Sequence, residues 1–149
     1  MLYIAITVVK FLMMSKKVLI YVAGPTAVGK TTYSIKLAKE LNTEIISCDS
    51  RQCYKEMQIG TAVPSQEELN EVPHHFIQHK SIFESFDAGD FEREALVLLQ
   101  ELFKTKDNVV MVGGSGLYAK ALMEGLDQFP LVNETAKNTI ATAHNQNGI

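Results

Sequence analysis

The octapeptide Gly24-Pro25-Thr26-Ala27-Val28-Gly29-Lys30-Thr31 matches G-x-x-x-x-G-K-[ST] and directly follows the apolar run Val18 to Ala23. That spacing is a phosphate-binding P-loop. Its glycines let the backbone curl until successive N–H groups point inward, and a helix opening near Lys30 adds its positive dipole end. Lys30 reaches the terminal phosphates of a diphosphate or triphosphate as a point charge. The Thr31 hydroxyl is placed to hold a Mg²⁺ ion that bridges phosphate oxygens. The loop alone does not say which phosphate compound it takes.

A second candidate is Asp49, at the tip of the β-rich segment Glu44 to Cys48 and ahead of Ser50-Arg51-Gln52. In a parallel α/β sheet the carboxyl ends of strands converge on the ligand crevice, so Asp49 is expected near the P-loop. There it is a Mg²⁺ ligand, a general base, or a cap of the following turn. A third candidate is Ser115 in the glycine turn Gly113-Gly114-Ser115-Gly116. Its hydroxyl either donates to a substrate or caps the next helix. A nucleophilic role is not expected, because Leu117 stands where the G-x-S-x-G elbow needs its last glycine. Cys48 and Cys53 flank Asp49 without further cysteines to complete a zinc site, and they point to a reducing compartment. His75 and His79 are four apart, yet Pro73 argues against the helix that metal ligation at this spacing needs, so packed and hydrogen-bonded histidines are expected.

The elements that must position these groups alternate strand and helix. Val18 to Ala23 reads as the first core strand, and Ile35, Ala38 and Leu41 set a helical face after the loop. Glu44 to Cys48 is a second strand. Ser65 with Glu68 forms a capping box for a short helix over 66–70, and Val72 to Ile77 is extended. From Asp87 to Lys104, Phe91, Ala95, Leu98, Leu99 and Leu102 share one stripe, the mark of a crossover helix. It returns to a third parallel strand, Asn108 to Val112, which runs into the Gly113 turn and a helix over Leu117 to Glu124. The chain has 149 residues, 46% hydrophobic and 21% charged, so it can bury one core, and a net charge of −3 gives no basic stripe for nucleic acid. Residues 1–14 are apolar except for Lys10, too short to span a bilayer and without a basic leader. They read as an edge strand through Ile4 to Val9 or, the favoured reading, as the result of a start set upstream of Met13 or Met14.

Five motifs in order, Gly24 to Thr31, Ser47-Cys48-Asp49-Ser50-Arg51-Gln52, Ile59-Gly60-Thr61-Ala62-Val63-Pro64-Ser65, Val72-Pro73-His74-His75 and Gly113-Gly114-Ser115-Gly116-Leu117-Tyr118, resemble the tRNA dimethylallyltransferase family. The resemblance covers about Val18 to the C-terminus. It implies a P-loop NTPase-like three-layer α/β/α fold with a parallel sheet. It also implies transfer of the allyl group of dimethylallyl diphosphate to N6 of an adenosine beside the anticodon of tRNA, releasing diphosphate. In that family the P-loop holds the diphosphate of the allyl donor with Mg²⁺ assisting, and Asp49 is the general base. Ser115, at a position often Thr, orients the same amine. Asp49, Ser50, Arg51, Gln52 and Ser115 line the tRNA contact, and Lys137 falls where an Arg often touches tRNA.

The resemblance further implies a cytoplasmic enzyme, not membrane-bound, that is a monomer when complete. The family's chain normally continues for about as many residues again. This chain is therefore expected to be an N-terminal portion: an extension over 1–14, a P-loop core over 15–128, and from 129 the start of a helical insertion. With only three parallel core strands expected, an apolar sheet edge is expected to lie uncovered. Other readings stay open: a P-loop small-molecule kinase, an adenylate isopentenyltransferase acting on free nucleotide, and an inactive diphosphate-binding fragment.

Overall fold

The computed structural model describes residues 5–10, 17–25, 27–127 and 133–148. In chain order its elements are β1 (Ala5–Lys10), β2 (Val18–Ala23), α1 (Lys30–Glu40), β3 (Ile45–Ser47), α2 (Gln66–Glu71), β4 (His74–His75), α3 (Ala88–Thr105), β5 (Asn108–Val112), α4 (Gly116–Glu124) and α5 (Glu134–Asn147). The strands form one sheet in the order β1-β2-β5-β3-β4. β2, β5, β3 and β4 are parallel, and β1 is antiparallel to β2.

The central strands are apolar throughout because both faces of the sheet are covered. On one face Val22, Ile45 and Val110 pack with Ile35 and Ala38 of α1 and with Val72. On the other, Leu19, Ile46, Val109 and Met111 meet Phe91, Ala95, Leu99 and Leu102 of α3 and Tyr118, Ala121 and Leu122 of α4. The result is the expected three-layer α/β/α arrangement. α2 starts on the expected capping box of Ser65 and Glu68. α3 uses a second one, Asp87 with Asp90, where the shorter acid does the work of Glu.

One expectation about the sheet is corrected. The extended run after Pro73 becomes a fourth parallel strand: His74 and His75 pair with Ile45 and Ile46, and the Ile45 N–H donates to the Pro73 carbonyl at 3.0 Å. At the other edge β1 pairs along β2 from Ala5 opposite Ala23 to Lys10 opposite Val18, which matches the edge-strand reading of the N-terminal segment rather than the favoured one. Met13 and Met14, Thr26 of the P-loop and the expected boundary at 128–129 lie outside the described residues. Among the described residues, no helix is long and apolar enough to cross a membrane.

Candidate active site

Three strand tips meet at one cavity of about 490 Å³, lined by candidate groups from the first two, whereas Ser115 of the third stands behind its wall and is not among the lining residues. Ala27, Gly29, Lys30 and Thr31 come from the loop after β2, Asp49, Arg51 and Gln52 from the tip of β3, and Gly113 and Gly114 from the tip of β5. Gly60, Thr61, Ala62, Pro64, Glu68, His74 and Ile77 close the remaining wall.

The P-loop end is built for an anion. Ala27 and Gly29 both hold positive φ, 65° and 85°. Gly29 is the N-cap of α1 and supplies no side-chain cap, and the first turn carries no acid. α2 and α3, by contrast, have closed capping boxes. The N-terminal N–H groups and dipole of α1 are thus left for an external acceptor. The half-buried Lys30 ammonium sits over the loop, donating to the Gly24 carbonyl at 2.9 Å and the Pro25 carbonyl at 2.7 Å.

Asp49 does two things at once. Its Oδ1 accepts from the N–H groups of Arg51 (3.0 Å) and Gln52 (3.4 Å), the turn cap anticipated for it. Its Oδ2 stands over Gly114, 3.9 Å from where a Cβ would lie there. The cap uses one oxygen, and the carboxylate still lines the cavity.

Ser115 occupies the N-cap position of α4, but its side chain makes no capping bond to that helix. The hydroxyl instead accepts from the Ser50 N–H at 2.8 Å and donates to Ser50 Oγ at 3.0 Å. It ties the β5 tip to the β3 tip directly behind Asp49. Gln52 also faces inward: Ser47 Oγ donates to its Oε1 at 3.2 Å, and its Nε2 donates to the carbonyls of Thr61 (3.1 Å) and Ala62 (2.8 Å). Arg51 is exposed at the cavity wall. Lys137 is not brought to this group; it is on α5, which buries no side chain, and pairs with Glu134 at 2.8 Å.

Both cysteines are free and buried. Burial pushes the Cys48 thiol up to about 12 and that of Cys53 up to about 11. Tyr21, also raised to about 12 by burial, donates its hydroxyl to the Gly113 carbonyl at 3.3 Å beside Cys48. His75 is hydrogen-bonded as expected, 2.7 Å from Glu44. His79 is packed against Phe76 and Phe86, but neither ring nitrogen has a hydrogen-bond partner among the described residues, and burial holds its pKa below the ordinary value.

His74 had no role in the sequence reading. Its Nδ1 donates to the Val72 carbonyl at 2.7 Å, which fixes the tautomer and leaves Nε2 a buried acceptor with no partner among the described residues. Desolvation keeps it neutral by lowering its pKa. Two histidines in a row after a proline carry no periodic signal, so only the pairing of β4 with β3 could place this one at the site.

The family model described as IPP transferase matches residues 52–149. The tRNA dimethylallyltransferase of Flavobacterium johnsoniae is 54% identical over 133 residues, 89% of this chain and 43% of that protein. That of Flavobacterium psychrophilum is 56% identical over 131 residues, 88% of this chain and 43% of the relative. Among solved structures, the full-length tRNA isopentenylpyrophosphate transferase of Bacillus halodurans is 40% identical with a TM-score of 0.72, covering 90% of this chain and 44% of that one. A eukaryotic dimethylallyltransferase solved acting on tRNA is 30% identical, also with a TM-score of 0.72, over 83% of this chain and 32% of that one. The chain thus spans about two-fifths of the length of the curated relatives it matches.

Proposed function

Because the chain belongs to the IPP transferase family, we propose that it carries the donor site and the base of an enzyme that moves a dimethylallyl group from dimethylallyl diphosphate to N6 of an adenosine beside the tRNA anticodon. The observation that carries this reading is the shared cavity: an uncapped helix N-terminus with Lys30 at one end, and the Asp49 carboxylate at another strand tip.

The chemistry needs both ends. The N6 lone pair is delocalised into the purine ring, so the amine attacks well only if a base takes its proton as the new bond forms. Asp49 accepts that proton as the C1–N6 bond is made. The C1–O bond breaks, and its electron pair leaves with diphosphate into the N–H groups of α1 and the Lys30 ammonium. Ser115 acts by holding Ser50 and thereby the turn that carries Asp49. Arg51 and Gln52 line the side from which the RNA base enters.

The donor set suits Mg²⁺. The Thr31 hydroxyl and the Asp49 carboxylate are hard oxygen donors on one cavity. Thr31 with phosphate oxygens would hold the ion, which supplies charge neutralisation on the diphosphate. Under this reading the complete protein works in the cytoplasm on tRNA, as a monomer.

The test uses dimethylallyl diphosphate labelled in the allyl group and an anticodon stem-loop RNA. Label appearing on N6 of the adenosine beside the anticodon supports the reading. Label on free adenylate alone, or transfer of the γ-phosphate of ATP to a small molecule, overturns it.

A further inference from the structure

Gln52 lines the cavity, yet both hydrogens of its amide are already in use within the chain. Nε2 donates to two successive carbonyls, Thr61 at 3.1 Å and Ala62 at 2.8 Å, while Oε1 accepts from Ser47 Oγ at 3.2 Å. The reverse orientation would set the amide oxygen against both carbonyls, so the network fixes which end is nitrogen. The main chain of the same residue is tied as well. Its N–H donates to Asp49 Oδ1 (3.4 Å), and its carbonyl accepts from the Gln78 N–H (2.8 Å). One residue therefore joins the turn that carries Asp49 to the wall formed by Gly60, Thr61 and Ala62.

That wall does not hold its shape by local preference. Successive carbonyls of an extended chain point to opposite sides, so both reach one amide nitrogen only where the chain curls. Gly60 and Ala62 supply the curl, with φ of 79° and 51°. Glycine takes that conformation freely, but for alanine it is strained. Ala62 is kept there by what grips it. The Gln52 amide holds its carbonyl, and the buried Thr61 beside it donates its hydroxyl back to the Met57 carbonyl.

Resting on the transfer reading, we propose that Gln52 is a positioning residue: its side chain latches the Gly60–Ala62 wall to the Asp49 turn and so sets the space in which the adenine meets the carboxylate. It does not read the RNA. A wall that swings out leaves the N6 amine free to turn in front of Asp49, and proton removal is efficient only from a held geometry. The diphosphate end, built on the loop after β2, does not depend on the latch.

The test compares Gln52→Met, which keeps the reach of the side chain and loses both donors, with Gln52→Glu, which sets carboxylate oxygens against the two carbonyls. Three quantities are read on the full chain: inorganic diphosphate affinity, hydrogen exchange of the amides over 57–63, and transfer from dimethylallyl diphosphate to an anticodon stem-loop RNA. Diphosphate affinity is expected to stay within about two-fold of the unsubstituted chain, since an intact P-loop keeps its anion contacts. Exchange over 57–63 is expected to rise about ten-fold or more in Gln52→Met, as two hydrogen bonds no longer oppose opening, and further in Gln52→Glu. The kcat for transfer is expected to fall about ten-fold, with the KM for the RNA little changed. Unchanged exchange over 57–63 overturns the latch. So does a raised KM for the RNA at unchanged kcat, the mark of a side chain that touches RNA, and so does a loss of diphosphate affinity in Gln52→Met. An unsubstituted chain that transfers nothing refutes the transfer reading alone, and the exchange result still decides the latch.

Discussion

Replacing Gly113 by alanine should do more damage than any other single methyl group added near the site. A Cβ built there lies 2.5 Å from the Cys48 carbonyl carbon, 2.6 Å from its oxygen and 2.7 Å from its Sγ. The thiol could turn away, but the two backbone atoms cannot, so the β3 and β5 tips must separate. Overpacking of this kind costs about 1–3 kcal/mol. Separation also stretches two bonds that join the tips, Cys48 N–H to Val112 O at 2.8 Å and Ser115 N–H to Cys48 O at 3.2 Å. At about 1 kcal/mol each, they bring the expected loss to about 3–5 kcal/mol. Gly114→Ala is the control, because its nearest neighbour, Asp49 Oδ2, is 3.9 Å away at ordinary contact, and a change within about 0.5 kcal/mol is expected. Urea unfolding of both variants measures the difference. Equal midpoints and slopes for Gly113→Ala and the parent would refute the claim that the two strand tips are in fixed contact behind Asp49.

Lys30→Ala should abolish binding of inorganic diphosphate in titration calorimetry, and an unchanged affinity removes the P-loop assignment. Asp49→Asn keeps an oxygen to accept from Arg51 and Gln52, so the turn should persist and donor binding stay nearly intact. Transfer should then fall by about a hundred-fold, the weight of a general base; a collapse of donor affinity would instead make Asp49 a metal ligand. His74 and His79 have folded pKa values held below the ordinary 6.5 mainly by burial. The unfolded chain therefore binds more protons just below pH 6.5, and stability present above that pH should fall as the pH drops through the folded values. Melting followed from pH 7.5 to 5.5 should show this, and His79→Phe should flatten the profile; a loss of stability on the alkaline side would contradict it.

How much of this could be seen in the residues alone depended on how local each signal was. The P-loop, the Ser65 capping box and the stripe of α3 are written within one or two turns of chain, and all three appear where the spacing puts them. β4 was read only as extended because two residues have no period; they are a strand through their partners Ile45 and Ile46. Ser115 sits at a helix start as its glycine turn suggests, yet its hydroxyl is taken by Ser50, 65 positions earlier, which no local rule can anticipate. The Gln52 clamp on Thr61 and Ala62 was hidden for a similar reason: it bridges an irregular loop, where propensity says least.

The open N-terminus of α1 has a thermodynamic consequence. α2, α3 and α5 receive a side-chain cap from within the chain, whereas α1 opens on the cavity with none. Diphosphate bound there as proposed would act as a removable cap, and binding and folding would become linked quantities. Once the ligand exceeds its dissociation constant, each tenfold rise in concentration adds about 1.4 kcal/mol to the unfolding free energy. Under the proposed function the melting temperature should therefore rise with the diphosphate supply, and the same titration read as heat stability would report the occupancy of the proposed donor site without any transfer having to occur.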